Sequence, residues 1–305
     1  MLISSKVCHT SFKVFMEGKI CNLATQFFED LKSFLRRCLF FILSVGPMPK
    51  HIAFIMDGNR RYAKKQNLEE GAGHKEGYSA LMSMLRYCYE FDVKYVTVYA
   101  FSIENFKRRP EEVQSTMQLI QEKIESLIEG EYVLSQYGVR VYVIGNFELL
   151  SNSLKLAAKR AMDATADNSK AVLSICIAYT STDEIVHAIE KTCEEKSEEF
   201  RVLDSSGAGY GLIGLRCNGK NKGKSLIDVE DIEKHMRMAV APDPDIIIRT
   251  SGETRLSNFL LWQSASSLLY SPNELWPEIG LRHLVQAILD FQRNFSYLKM
   301  RREQN

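Results

Sequence analysis

Three short segments gather the side chains of this sequence that can hold charge. The first is Asp57-Gly58-Asn59-Arg60-Arg61-Tyr62, with His74 downstream in Gly71-Ala-Gly-His74. The second is Ser102-Ile-Glu104-Asn105-Phe106-Lys-Arg108, and the third is Arg249-Thr-Ser-Gly-Glu-Thr-Arg255-Leu-Ser257. Guanidinium forks match phosphate oxygens in geometry as well as charge, and each charge-assisted bond is worth roughly 1.5–3 kcal/mol. A lone carboxylate cannot hold an anion, but it can hold a Mg²⁺ ion that does. Several arginines with hydroxyls, an amide and one metal-ready carboxylate therefore suit two diphosphates better than one carboxylate ligand. The plainer readings are solvated surface arginines, an N-capping Asp57, and helix-capping Ser102 and Ser257. Capping is compatible with binding, and three loaded segments together resist the plain reading.

Each segment follows an apolar run: His51–Met56, Val96–Ala100 and Asp245–Ile248. Further β-rich runs lie at 139–145 and 171–179, within strands predicted at 51–56, 93–101, 139–145, 171–179 and 245–250. Helical patterns fall at about 75–91, 111–136, 150–167, 182–199, 228–240 and 280–297. Strand–helix alternation predicts an α/β fold: one domain with a mainly parallel central sheet flanked by helices. The loaded segments then share one sheet edge, where ligands bind in open α/β sheets and where free helix-start N–H groups favour anions. On the helical stretches, Leu81, Met84, Leu85, Cys88, Val113, Met117, Ile120, Ile124 and Leu127 read as core. They double as the lining of a hydrophobic tunnel if that core is hollow.

A net charge of +1 over 305 residues argues against a general nucleic-acid binder. The seven cysteines form neither CxxC nor a zinc spacing, which predicts a reduced compartment. Gly209-Tyr-Gly211-Leu-Ile-Gly214 matches GxGxxG, but it lacks the strand before and the helix after that a dinucleotide site needs. It falls in a Gly/Ser/Lys/Asn-rich loop insertion at 204–225. No apolar run reaches the roughly 18 residues of a membrane span. Residues 1–45 nevertheless carry an amphipathic helix. Phe27, Phe28, Leu31, Phe34, Leu35, Cys38, Leu39 and Ile42 lie on one face, and Glu29, Asp30, Lys32, Arg36 and Arg37 on the other. It reads either as a helix packed on protein or as an interfacial membrane helix. The main domain is placed at 46–300.

The motifs His-Ile-Ala-Phe-Ile-Met-Asp-Gly-Asn-Arg-Arg, Tyr-Ala-Phe-Ser-Ile-Glu-Asn-Phe and Arg-Thr-Ser-Gly-Glu-Thr-Arg-Leu-Ser-Asn-Phe together resemble the cis-prenyltransferases, the undecaprenyl and dehydrodolichyl diphosphate synthase family. The likeness covers about residues 46–298 and is strongest to plant polyprenyl and rubber-type catalytic subunits. It implies repeated condensation of isopentenyl diphosphate onto an allylic diphosphate, usually farnesyl diphosphate, giving long-chain Z-polyprenyl diphosphates of the dehydrodolichyl type. A rubber-type cis-polyisoprene synthase subunit is the alternative product class. By resemblance, Asp57 holds Mg²⁺ and assists departure of the allylic diphosphate, which Gly58, Asn59, Arg60, Arg61, Tyr62 and His74 bind. Arg249, Arg255 and Ser257 hold isopentenyl diphosphate. Ser102, Glu104, Phe106 and Arg108 position the reacting pair, with Asn105 near the proton that is lost.

The sequence departs from the homodimeric, bacterial pattern in three places. Glu70 stands where an arginine precedes the histidine, so compensation by Lys64 or Lys65 is expected. Leu268 stands where a second metal-binding glutamate would follow the serine. Residues 291–305 hold no Arg-x-Gly motif. Eukaryotic catalytic subunits share that last feature and take the motif from a Nogo-B-receptor-like partner. The resemblance thus implies a heteromer at the cytoplasmic face of the endoplasmic reticulum membrane. A non-catalytic accessory or diphosphate-binding subunit is the rival of another class. Accessory subunits show the reverse pattern, lacking Asp-Gly-Asn-Arg-Arg and keeping Arg-x-Gly.

Overall fold

The computed structural model describes residues 30–69, 71–129, 136–205 and 227–304. Glu70, the GxGxxG match and most of the expected 204–225 insertion lie outside them. The chain divides between Met48 and Pro49 into two units. In the first, residues 30–43 form helix α1, which leaves Phe34, Leu35, Phe41 and Ile42 exposed.

The second unit is built on a six-stranded parallel sheet in the order β3-β4-β2-β1-β5-β6. The strands are β1 (His51–Ile55), β2 (Tyr95–Ser102), β3 (Val139–Ile144), β4 (Ala171–Tyr179), β5 (Ile246–Arg249) and β6 (Leu268–Tyr270). β1 and β5 are buried at every position, which is why they read as unbroken apolar runs rather than alternating ones. Ala53, Ile55 and Ile247 pack with Tyr179, Phe259 and Leu260. Phe54 meets Trp276 edge-on, with ring centroids 5.7 Å apart.

The helices are α2 (Asn59–Lys65), α3 (Ala72–Glu90), α4 (Pro110–Glu129), α5 (Asn152–Ala164), α6 (Ser181–Ser205), α7 (Val229–Lys234) and α8 (Leu281–Gln304). α4 opens with Pro110, Glu111 and Glu112. Proline fits a first turn that needs no N–H donor, and the carboxylates complement the helix dipole. Two elements lie outside the helix and strand ranges read from the sequence, although a helix start after Asp57 is anticipated. α2 is only seven residues long, too short to show a period. β6 is a three-residue edge strand that starts at Leu268, after a Ser/Ala-rich stretch without strand alternation.

The sheet order settles the geometry of the site. β1 lies between β2 and β5, and all three run parallel. Asp57, Ser102 and Arg249, at or just beyond their carboxyl ends, therefore stand on neighbouring strands along one edge.

Candidate active site

The turn after β1 is made by Gly58 at φ +110, in the left-handed region that favours glycine, and Gly58 rather than Asp57 caps α2. Asp57 is fixed through its backbone. Its N–H donates to Thr250 Oγ1 (3.1 Å), and its carbonyl accepts from Thr250 Oγ1 (2.6 Å), Ser251 Oγ (2.9 Å) and the Trp276 N–H (2.9 Å). Its carboxylate is left to face cations. Oδ2 accepts from Arg249 at 2.9 Å and Oδ1 from Arg61 at 3.2 Å. Burial alone would push this carboxyl up, but Arg249, seconded by Arg61, outweighs burial and holds it below the ordinary range.

Arg249 is the most enclosed of the described arginines, with 4% of its side chain exposed. One terminal nitrogen donates to Ser257 Oγ (2.6 Å) and to the Arg255 carbonyl, the other to Asp57. Its Nε is buried with no partner. The loop it organises is held in left-handed backbone at Ser251, Ser257, Asn258 and Leu260. Non-glycine residues adopt that region only where the surroundings enforce it. Asn258 is anchored by Thr182, and Tyr99 stacks on Phe259 at 4.4 Å between centroids. Gln263 and Tyr179 both donate to the fully buried Glu184, which also takes the Met238 N–H. Arg255 points into the opening and pairs with Glu253.

At the end of β2, Ser102 and Asn105 cap the short 3₁₀ turn Ile103–Lys107 reciprocally. Ser102 Oγ accepts from the Glu104 N–H (3.2 Å), and Asn105 Oδ1 accepts from the Ser102 N–H (3.1 Å). Both also line the cavity described below, so capping and lining coexist. Glu112 was not singled out from the sequence. Its Oε1 accepts from Arg108 (3.0 Å) and Arg60 (3.3 Å), joining the first two segments. The available signal was its i+4 spacing from Arg108. Burial, then the charges of Arg108 and Arg60, lower the pKa of His74 against the opposing pull of Glu112. The imidazole is therefore neutral at neutral pH.

A cavity of about 440 Å³ opens at these groups. Its mouth holds Asp57, Asn59, Arg60, His74, Ser102, Glu104, Asn105, Arg108, Arg249, Arg255 and Ser257. Its interior runs between α3 and α4 and is lined by Leu81, Leu85, Leu119, Ile120, Ile124, Leu127, Leu173 and Ile175. A recess of about 130 Å³ beside the mouth is bounded by Met56, Asp57, Gly58, Asn59, Arg60, Arg61, His74 and Arg108. Tyr62 and Phe106 line neither space. Phe106 instead packs edge-on against Phe101, centroids 5.0 Å apart. Lys65 is paired with Glu278 at 2.5 Å rather than turned to the recess. Met84 and Cys88 are ordinary buried core, and Val113 and Met117 do not line the cavity.

No cluster of three or more His, Cys, Asp or Glu residues suited to a metal occurs among the described residues. Of the two mouth carboxylates, Asp57 and Glu104, Asp57 is the one held between Arg249 and Arg61. That fits Mg²⁺ held by Asp57 together with substrate phosphates, the usual way this ion is bound.

The family model for undecaprenyl diphosphate synthase matches residues 55–297. This chain belongs to the cis-prenyltransferase family. The dehydrodolichyl diphosphate synthase of Solanum lycopersicum is 61% identical over 290 residues, covering 95% of this chain and all of that one. The rubber cis-polyprenyltransferase of Hevea brasiliensis is 48% identical over 90% of this chain and 95% of its own. A dehydrodolichyl diphosphate synthase complex subunit of Homo sapiens is 42% identical over 86% of this chain and 72% of its own. Among solved structures, the lavandulyl diphosphate synthase of Lavandula x intermedia, in complex with dimethylallyl diphosphate, superposes with a TM-score of 0.64 at 26% identity. That match covers 80% of this chain and 95% of the other. As a cis-prenyltransferase the chain is a prenyl-transferring enzyme, and its cation-rich mouth opening into an apolar cavity has the polarity such chemistry requires.

Proposed function

We propose that this chain condenses isopentenyl diphosphate repeatedly onto farnesyl diphosphate, making long-chain Z-polyprenyl diphosphates of the dehydrodolichyl type as the catalytic subunit of a heteromer. The supporting observation is the continuity of one cavity from a mouth of arginines and carboxylates to a mainly apolar interior between α3 and α4. The recess bounded by Gly58, Asn59, Arg60, Arg61 and His74 takes the allylic diphosphate. Arg249, Arg255 and Ser257 take isopentenyl diphosphate. Two reactants fixed side by side react as though in one molecule, and the arginines stabilise charge that grows on the departing diphosphate. Mg²⁺ held by Asp57 supplies further charge neutralisation at that leaving group. Arg61 and Arg249 keep the Asp57 carboxyl ionised, ready for a cation. Ser102 and Asn105 present a hydroxyl and an amide to the reacting carbons. Asn105 is a poor base, so a diphosphate oxygen is the better acceptor for the lost proton.

Each added isoprene places five carbons in the cavity, a gain of roughly 4 kcal/mol at ~0.8 kcal/mol per carbon. Growth thus carries its own driving force, and a long product partitions to lipid. α1, with Phe34 61%, Phe41 73% and Ile42 66% exposed, offers an apolar face for lying on the cytoplasmic surface of the endoplasmic reticulum membrane. No described helix is long and apolar enough to cross a membrane. The human relative's name as a complex subunit supports a heteromer with a Nogo-B-receptor-like partner carrying Arg-x-Gly, and the Hevea relative supports a rubber-type product as the second reading.

The test is co-expression with a candidate partner, radiolabelled isopentenyl diphosphate, and chain-length analysis. The proposal expects long Z-polyprenyl products from the pair and little from the chain alone. High activity from the purified chain alone would sink the heteromer, and no prenyl product from either preparation would sink the enzymatic reading.

A further inference from the structure

Among the described residues, the interior of the cavity holds one charged side chain. Lys123 of α4 lines it between Leu119, Ile120, Ile124 and Leu127, all of which line it too. None of the residues three or four positions away on α4 (Leu119, Ile120, Ser126, Leu127) is acidic, so its own helix face offers no counter-ion. Its ammonium sits 4.4 Å from the centroid of the Tyr78 ring on α3. The Tyr78 hydroxyl lies 3.4 Å from Ser126 Oγ, which donates back to the Lys123 carbonyl at 2.9 Å. Tyr78, like Lys123, lines the cavity. A cation–π contact and a hydroxyl pair thus bridge the two helices amid the hydrocarbon side chains of Leu81, Leu85, Leu119, Ile120, Ile124 and Leu127.

We propose that Lys123, seated on Tyr78, is a specificity-determining residue that limits the length of the polyprenyl product. The inference rests on the elongation activity proposed above. An apolar tail growing along Leu81, Leu85, Ile120 and Ile124 must lie against this ammonium. A tyrosine face satisfies only part of an ammonium's demand for hydration, and a hydrocarbon neighbour satisfies none of it. Each condensation that pushes more tail past Lys123 strips water from the cation without a replacement. Elongation slows there relative to release, and the product distribution is centred accordingly. Tyr78 contributes the ring that keeps the ammonium against the wall instead of across the bore.

The test compares wild type, Lys123→Met and Lys123→Arg, each as the full chain co-expressed with its partner subunit, in one assay with labelled isopentenyl diphosphate. Methionine keeps the flexible stem and removes the charge, whereas arginine keeps the charge. Lys123→Met is expected to move the most abundant product longer by at least one five-carbon unit, with the rate of the first condensation within about twofold of wild type. Lys123→Arg is expected to keep the wild-type distribution. Wild-type product formation reads the underlying activity separately from its length. Identical distributions for all three proteins would overturn the proposal. So would a fall in first-condensation rate for Lys123→Met without lengthening, which is the signature of a merely structural lysine.

Discussion

Arg249 joins the two halves of the proposed site, and Arg249→Lys isolates what its planar fork contributes, because the charge is kept. In the native protein one terminal nitrogen reaches Ser257 Oγ at 2.6 Å and the Arg255 carbonyl, while the other reaches Asp57 at 2.9 Å. A single ammonium on a shorter reach that stays with Asp57 gives up the two contacts to the Arg255–Ser257 loop. Two charge-assisted bonds at roughly 1.5–3 kcal/mol each total about 3–6 kcal/mol. The ammonium recovers part of this by turning to water in the mouth, so we take the lower end, about 3 kcal/mol. At 1.36 kcal/mol per tenfold, that is a loss of roughly 100-fold in kcat/KM for isopentenyl diphosphate. The assay is steady-state kinetics on the heteromer with each substrate varied in turn, alongside thermal unfolding of the same samples. The larger effect should fall on isopentenyl diphosphate rather than the allylic substrate. A change below about fivefold in a folded Arg249→Lys protein would refute the view that this fork organises the isopentenyl diphosphate loop.

Other residues give further expectations. His51 is fully buried, with Nε2 2.8 Å from Thr97 Oγ1 and Nδ1 2.5 Å from the Pro242 carbonyl; burial lowers its pKa from 6.5 to about 4. Below pH 6.5 the unfolded chain takes up a proton that the folded chain refuses. This contribution is therefore complete above pH 6.5 and is lost as pH falls towards 4, by roughly 3 kcal/mol in all. Denaturant midpoints between pH 7.5 and 4.5 should fall accordingly, and His51→Gln should flatten the slope. At the α2–α3 crossing, a Cβ on Gly73 would sit 2.1 Å from the Asn59 carbonyl oxygen, a backbone atom that cannot step aside cheaply. Gly73→Ala should cost about 2–3 kcal/mol, lower Tm by roughly 5–10 °C and weaken allylic diphosphate binding. At Gly280 a Cβ meets nothing within 4 Å, so Gly280→Ala should leave Tm unchanged within about 2 °C.

The parts of the site legible in the sequence were those set by local order. An apolar run ending in Asp57-Gly-Asn-Arg-Arg61 announces a strand edge, and strand–helix alternation makes the sheet parallel, so the three loaded ends had to share a side. Long-range packing was not legible. Trp276, whose indole donates to the Gly77 carbonyl at 2.7 Å and whose backbone N–H donates to the Asp57 carbonyl, lies in a segment with no local signature. Helical spacing also cannot separate a wall from a core. Leu81 and Leu85 line the cavity while Met84 and Cys88, on the same helix, are buried beside it. A few tens of degrees around the axis decide between them, and neighbouring elements set that angle. Glu112 was readable as an i+4 partner of Arg108, but its second partner, Arg60, comes from a different strand end.

Asp57→Asn tests the central claim most directly, because asparagine keeps an oxygen for Arg249 and removes only the charge that would hold a cation. The proposed chemistry predicts that the heteromer with Asp57→Asn loses at least about 1,000-fold in turnover at saturating substrates, while its Tm stays within a few degrees of wild type and both diphosphates still bind. Near-normal turnover in a folded Asp57→Asn protein would contradict it.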